Sequence, residues 1–329
     1  MLAGHLFGAT AALAEDEPIT WSVRPATEAG ADGRSWIELE LEPGESAVEY
    51  AEVSNFSDQE VTFTLTSADG YLTPTGRFNM LPRDQESTDA GSWIDADDSL
   101  KLSANSSTVI PLQIAVPTDA TPGDHAAGFA ASVFSKGSDD EGTEVGVESR
   151  VGFRVMVRVG GELEPSLGPF EVAAHYDMSW NPFSPGRVVA DVTVANVGNT
   201  RLDLELEAAA AWQEANAEDQ SGELFPGTER ELSVIVHDVW PLGIVLLDVT
   251  VTGVPLDAQG GTDSAPISQT TQVAVWAIPW PQLAVVAGAT LIVFAILVGR
   301  RRERRRFQHQ IEEAREEAVR EAMAMEGSK

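Results

Sequence analysis

Polar and apolar residues alternate one by one along much of this chain. Val61, Phe63 and Leu65 alternate with Thr62, Thr64 and Thr66. Val151, Phe153, Val155, Val157 and Val159 alternate with Gly152, Arg154, Met156 and Arg158. Leu202, Leu204 and Leu206 do the same with Asp203, Glu205 and Glu207. Successive side chains on a strand point to opposite faces, so runs of this period predict strands with one buried face. The clusters EPGES, NFSDQE, TPGD, NVGNT and FPGTE supply turn residues between the runs. From residue 19 to about 276 the pattern is β throughout. Short strands with regular turns predict an all-β fold of β-sandwich type.

Two stretches break the pattern. Pro281 to Gly299, PQLAVVAGATLIVFAILVG, is a run of 19 residues without a charge. At about 1.5 Å per residue it nearly crosses a hydrocarbon layer of about 30 Å. Trp276 and Trp280 flank its start, where amphipathic rings favour the membrane interface. RRRERRR follows, with Arg300, Arg301, Arg302, Arg304, Arg305 and Arg306, which predicts a cytoplasmic C-terminal side by the positive-inside rule. Beyond it, Phe307, Ile311, Ala314, Ala318, Ala322 and Met325 recur at helical spacing. The tail is either a weak coiled-coil seam or a solvated helix continuing the span, and the shortness of the run favours the second. At the other end, LAGHLFGATAALA before EDEP closes on Ala12-Leu13-Ala14, which reads as the end of a signal peptide.

The second half of the β region echoes the first. YAEVSNFSDQEVTFTL (Tyr50 to Leu65) resembles VTVANVGNTRLDLEL (Val192 to Leu206), and Gly123 and Gly243 hold matching places in two later segments. The echo predicts two tandem immunoglobulin-like β-sandwiches with a boundary near Gly160 to Pro169. The expected order is a signal at 1–14, one sandwich over 15–160, a second over 161–276, a transmembrane helix over 277–299 and a basic, helical tail over 300–329.

Charge narrows the choice of partners. The chain has 329 residues, 21 basic and 52 acidic, for a net charge of −31. Nine of the basic and seven of the acidic residues follow Gly299, so the rest holds 12 basic against 45 acidic residues, a net of −33. A body this acidic is a poor partner for nucleic acid. The absence of cysteine excludes disulfides, thiol nucleophiles and cysteine-ligated metals.

The order PITWSVRPA, WIELELEPGESAVEYAEVSN, GSWIDADDSLKLSANSSTVIPLQIAVPTDATPGDHAAGFAASV and VGFRVMVRVGG resembles the domain of unknown function 916 group, the WxL-interacting proteins of Gram-positive cell surfaces, most closely their actinobacterial branch. It covers residues 19 to 160 strongly and 161 to 276 in architecture only. The resemblance implies a signal peptide, an N-terminal immunoglobulin-like domain that contacts peptidoglycan, a second such domain that contacts a partner protein, a span and a basic tail. The chain has no WxL domain, and its single W-x-L triplet, Trp240-Pro241-Leu242, falls in a turn region.

No HExxH, GxSxG, phosphate loop or strand-borne GxGxxG is present, so no catalytic residue, cofactor or metal is expected. Asp124 and His125 are neighbours on a strand and face opposite ways, so they do not form an oriented pair; they read as a corner after the Pro122-Gly123 turn. Asp95, Asp97 and Asp98, like Asp139, Asp140 and Glu141, are oxygen-rich but lack EF-hand spacing. The long link from Ser67 to Trp93 carries Tyr71, Arg77, Phe78, Arg83 and Trp93. It is either a binding loop, whose rings stack on sugars and whose arginines pair with carboxylates, or a plug for the sandwich edge. Arg150, Arg154 and Arg158 share one face of one strand, for cross-strand pairing or for an anionic wall polymer.

The expected protein is a non-enzymatic, single-pass plasma-membrane protein with its body outside and its C-terminus inside. It binds cell-wall glycan or a partner surface protein. An assembly chaperone using an open sheet edge, and a hydrolase with an unrecognised site, are the alternatives.

Overall fold

The computed structural model describes residues 18–138, 144–211, 216–217, 220–257, 261 and 265–326. The signal segment and the Asp139, Asp140 and Glu141 cluster lie outside the described residues.

The first half folds as strands β1 (Trp21–Thr27), β2 (Gly30–Ala31), β3 (Ile37–Leu41), β4 (Ser46–Asn55), β5 (Val61–Leu72), β6 (Phe78–Met80), β7 (Ile94–Asp95), β8 (Ser99–Leu102), β9 (Ser106–Ala115), β10 (Gly123–Ser138) and β11 (Glu144–Val159), with a 3-10 turn at Ala90–Trp93. One sheet has the order β2-β1-β4-β9-β7; the other has β3-β11-β10-β5-β6, with β8 also on β5. The alternation seen in the sequence decides what lies between them. Phe63 and Leu65 of β5, Phe129 and Ala131 of β10, and Val155 and Val157 of β11 point into one core with Val53, Leu112 and Ile114 from the facing sheet. Their polar neighbours in the chain point outward.

The second half repeats the plan with β12 (Glu171–Asp177), β13 (Gly186–Ala195), β14 (Leu202–Ala210), β15 (Asn216–Ala217), β16 (Gln220–Leu224), β17 (Glu229–Val239), β18 (Gly243–Pro255) and β19 (Ile267–Ala277). The sheets β12-β13-β17-β15 and β16-β14-β18-β19 enclose a separate core that includes Val192, Leu204, Val234 and Val249. The fold is all-β, two stacked sandwiches followed by one helix, α1 (Trp280–Glu326).

The echo in sequence has a physical basis. Asn55 and Asn196 are both buried, and each clamps its corner in the same way. The Asn55 amide donates to the carbonyls of Gln59 and Leu102, while its oxygen accepts from Ser57 N–H at 3.0 Å. The Asn196 amide donates to Thr200 and Leu224, and its oxygen accepts from Gly198 N–H, also at 3.0 Å. Only a short amide side chain offers both roles at once.

Two expectations need correction. The stretch from Ser67 to Trp93 is not one structureless loop. β5 runs on to Leu72, turns through Thr73–Arg77, where Gly76 takes φ +75°, and returns as β6. The hairpin escaped the sequence reading because Ser67, Ala68 and Gly70 interrupt the alternation. The helix also starts at Trp280 rather than near residue 277, because Ala277 is still paired with Gly243 in the sheet. Trp280–Arg304 is long and apolar enough to cross a membrane; an 18-residue stretch of it has a mean hydropathy of 2.3 and none of that stretch is buried. The helix continues unbroken to Glu326.

Candidate functional site

The turn Pro122-Gly123 leads into the joint between the sandwiches. Gly123 has φ +124°, and a side chain there would collide with the Asn199 carbonyl, so only glycine fits. Asp124 N–H donates to that carbonyl at 2.8 Å. The Asn199 amide donates to Pro122 and Glu162 carbonyls, and its oxygen accepts from Glu164 N–H at 2.7 Å. One side chain of the second sandwich thus ties down both the last turn of the first and the connecting segment.

Charge completes the joint. The Asp124 carboxylate, 2% exposed, accepts from Arg158 Nε at 2.8 Å and Nη2 at 2.7 Å, and from the Arg201 backbone N–H at 2.6 Å. Arg158 Nη2 also donates to the Leu256 carbonyl at 2.6 Å. Arg201, 1% exposed, reaches Glu38 at 2.8 Å and Glu223 at 3.3 Å, while Arg154 donates to Glu223 at 2.6 Å and lies over the Trp36 ring at 5.1 Å. Three carboxylates face three guanidinium groups, so the cluster is neutral within itself. Burial opposes the charge on Arg158, but the bonded Asp124 carboxylate outweighs it and holds the guanidinium protonated more firmly than usual. Arg150 donates to the Leu81 and Met80 carbonyls at 3.1 and 3.3 Å. Arg154 and Arg158 are thus paired with carboxylates of the joint, while Arg150 is held by backbone carbonyls. Arg201, Glu38 and Glu223 have no local sequence signal; only the fold brings them together.

Asp124 and His125 face opposite ways, as strand geometry requires. His125 Nδ1 stands 2.6 Å from Asp89 and Nε2 2.8 Å from the Thr121 carbonyl, with its ring 4.8 Å from the Trp93 ring. A carbonyl accepts only, so Nε2 carries a proton; the carboxylate favours one on Nδ1 as well. Burial pushes the pKa down, yet the Asp89 carboxylate and the Thr121 carbonyl together raise it above the ordinary histidine value. His125 acts as a cationic clamp between the turn before β10 and the 3-10 turn.

The five candidate residues of the link are not gathered into one site. Trp93 is 8% exposed and belongs to the first core. Phe78 sits 6.4 Å from Phe225 of the second sandwich, and Gly76 abuts the Arg230 guanidinium. Tyr71 Oη accepts from Asn79 Nδ2 at 3.1 Å on the same hairpin, and Arg77 is exposed at its tip. Arg83 is exposed over the Phe134 ring at 5.8 Å. Trp93 and Phe78 are thus packing residues, because an aromatic ring suits a core as well as a sugar, and the hairpin braces the joint.

Arg83 does border a groove. β8 covers Val61–Thr64 of the β5 edge and β6 covers Gly70–Leu72, which leaves the edge between them without a strand alongside. There a groove of about 430 Å³ opens, walled by Leu65–Ala68, by Pro82, Arg83, Gln85 and Ser87, and by Gly91–Asp98 without Trp93. The loop wall is fixed by Asp69, whose carboxylate accepts the backbone N–H groups of Thr88, Asp89 and Gly91 at 2.7, 3.0 and 2.7 Å. Thr66 Oγ1 is buried beside the groove with no hydrogen-bond partner. Asp95, Asp97 and Asp98 line its far wall, but among the described residues no three or more His, Asp or Glu side chains are arranged to hold a metal. A second cleft of about 670 Å³ lies in the second sandwich, bordered by Tyr176, Asp177, Ser179, Arg187, His237 and Asp238; Arg187 holds Asp177 at 3.0 Å.

One sheet edge also stands out. β19, ISQTTQVAVWA, has eleven residues without a charged side chain and, among the described residues, pairs with β18 alone.

No family model and no curated protein matches the chain. Among solved structures it is similar to the class 5 fimbriae chaperone CfaA, at 12% identity and a TM-score of 0.38, over 77% of this chain and 99% of that one. A structure of the Salmonella enterica SafA pilin in complex with the SafB chaperone matches at 9% identity and a TM-score of 0.36, over 78% and 99%. The E. coli chaperone DraB matches at 12% identity and a TM-score of 0.34, over 78% and 98%.

Proposed function

We propose that this chain is a membrane-anchored surface protein that binds cell-wall glycan through its first sandwich and holds it near the membrane. The observation that carries the reading is the groove beside β5. It is open, built on a sheet edge, walled by a loop that Asp69 fixes, and lined by an arginine, a glutamine, hydroxyls and carboxylates. Such a set of donors and acceptors suits the hydroxyls, amides and carboxylates of peptidoglycan better than an apolar ligand. The resemblance to WxL-interacting proteins points to the same ligand for the same domain. α1 is the anchor, and the arginines from Arg300 to Arg306 keep the C-terminus on the cytoplasmic side.

The test is retention of the full chain, in detergent, on purified cell wall. Wild type is retained, and Arg83→Ala together with Gln85→Ala weakens retention while thermal unfolding is unchanged. Failure of the wild type to bind any wall preparation overturns the glycan reading.

A second reading is strand addition by a partner protein at β19. Among the described residues no strand lies along its outer side, and long, uncharged edges of this kind accept an extra strand. Ser268→Lys and Gln272→Lys place charges along this edge. They abolish capture of a surface protein if β19 is the contact and leave glycan retention untouched.

A further inference from the structure

The end of the second sandwich next to α1 is apolar to a degree that the rest of the body is not. Trp180 and Phe183, in the turn between β12 and β13, are 80% and 81% exposed. Leu242, in the turn between β17 and β18, is 73% exposed, and Trp276 at the end of β19 is 71% exposed. These residues come from three distant parts of the sequence, and the topology brings them together. Ile244 is paired with Trp276 in the β18–β19 ladder. Tyr176 Oη donates to the Val239 carbonyl at 3.0 Å, which joins the β12 end to the β17 end. Gln282 Nε2, in the first turn of α1, donates to the Pro182 carbonyl at 3.1 Å, which fixes the Trp180–Phe183 turn beside the start of the apolar helix.

The charge pattern makes the same point independently. Met178–Pro185, Val239–Leu247 and Val273–Gly299 contain no Asp, Glu, Lys or Arg, in a chain with 52 acidic and 21 basic residues. These three uncharged stretches meet at this end, while others, such as Leu102–Thr118, lie in the first sandwich. Exposed aromatic and aliphatic side chains gathered on one surface mark a contact. Rings with an apolar body and a polar tip favour the boundary between headgroups and acyl chains.

We infer that this end of the second sandwich is seated in the lipid interface of the bilayer that α1 crosses. The occupant of the patch is lipid because the patch is continuous with the apolar helix: Pro182 is hydrogen-bonded to a residue inside the span itself. The sandwich therefore stands on the membrane at the β12–β13 turn, the β17–β18 turn and the start of α1, and does not swing on a single tether. The inference rests on the reading of α1 as a membrane span.

The lack of cysteine in the chain allows a direct test. Single cysteines replace Phe183, Leu242, Ala289 in mid-helix and Val48 on the first sandwich. Each full-length variant carries a nitroxide and is reconstituted in phosphatidylcholine vesicles. Accessibility to oxygen and to a water-soluble nickel chelate is then compared. Positions 183, 242 and 289 show a severalfold higher oxygen-to-nickel ratio than position 48. If 289 reports lipid while 183 and 242 report water, the seating is wrong and the span stands. If 289 also reports water, the span fails and the seating with it. If 183 and 242 are shielded from both reagents, protein covers the patch and the lipid assignment is overturned.

Discussion

Neutralising Asp124 tests the account of the joint most directly. Asp124→Asn preserves the volume of the side chain and removes its charge. The carboxylate is 2% exposed and faces Arg158 at 9% and Arg201 at 1%. Without it, Glu38 and Glu223 remain opposite three arginines, and the cluster gains an uncompensated buried positive charge. The amide nitrogen of asparagine also points a donor at Arg158 or at the Arg201 N–H. Removing one member of a buried ion pair costs about 3–5 kcal/mol, mostly from the charge left behind. The hydrogen bonds involved are not additive with that figure. The expected loss is therefore about 3–5 kcal/mol. Thermal and urea unfolding of the full chain in detergent measures it. Because Arg201 and Leu256 belong to the second sandwich, the variant also loosens the joint, which broadens the distance distribution between nitroxides on the two sandwiches. Lys101→Gln is the control: its pair with Glu60 is 63% and 55% exposed, and its loss costs at most about 1 kcal/mol. Replacing both members, Asp124→Leu with Arg158→Met, restores the charge balance but leaves the Arg201 N–H and the Leu256 carbonyl unpaired, so it recovers only part of the loss. A cost for Asp124→Asn no larger than the control, with an unchanged distance distribution, refutes the reasoning.

His125 gives a pH signature. Its folded pKa lies above the ordinary value, so the clamp to Asp89 contributes fully below about pH 6.5 and is lost as pH rises through the folded value. Wild type therefore melts lower at about pH 8.5 than at about pH 6, and His125→Gln flattens that difference in a calorimetric series. Gly123→Ala forces a side chain into the Asn199 carbonyl at positive φ and destabilises the chain by more than about 1 kcal/mol, read by urea unfolding. Asn55→Ala and Asn196→Ala each leave buried carbonyls and an N–H unpaired and cost about 1–3 kcal/mol apiece. Hydrogen exchange places each loss in its own sandwich, and a loss in the other one contradicts the matched corners.

What could be read from the sequence was what repeats locally. Val61 to Thr66 and Leu202 to Glu207 announce their faces because burial alternates with the pleat, and the 19 uncharged residues before Arg300 announce a helix in need of an apolar solvent. The joint was hidden because its pairs are remote: Glu38 meets Arg201 across 163 positions and Asp124 meets Arg158 across 34. The three arginines of β11 showed a shared face, and the fold alone decides what that face meets. The link misled for a different reason. Trp93 and Phe78 were attractive as sugar platforms because they are aromatic, but the same surface area serves a core or an interdomain contact. The groove itself had no motif, since it arises from a gap between two strands laid on β5. The exposed Trp180 and Phe183 gave no sequence signal either, because exposure depends on where a turn falls.

The route of the chain through the second sandwich sets how the protein answers a pull. β12 begins at Glu171 beside the joint, and β19 ends at Ala277 two residues before α1, so the chain enters this sandwich at one end and leaves at the other. Under the proposed function, tension between the helix in the membrane and the bound wall runs along the strands. It loads the eleven paired positions of β18 and β19 together, and the seven of β12 and β13 likewise. Bonds sheared in parallel must fail at once, whereas a strand peeled from its end gives way one bond at a time. The load then passes from one sandwich to the other through the Asn199 and Asp124 contacts of the joint.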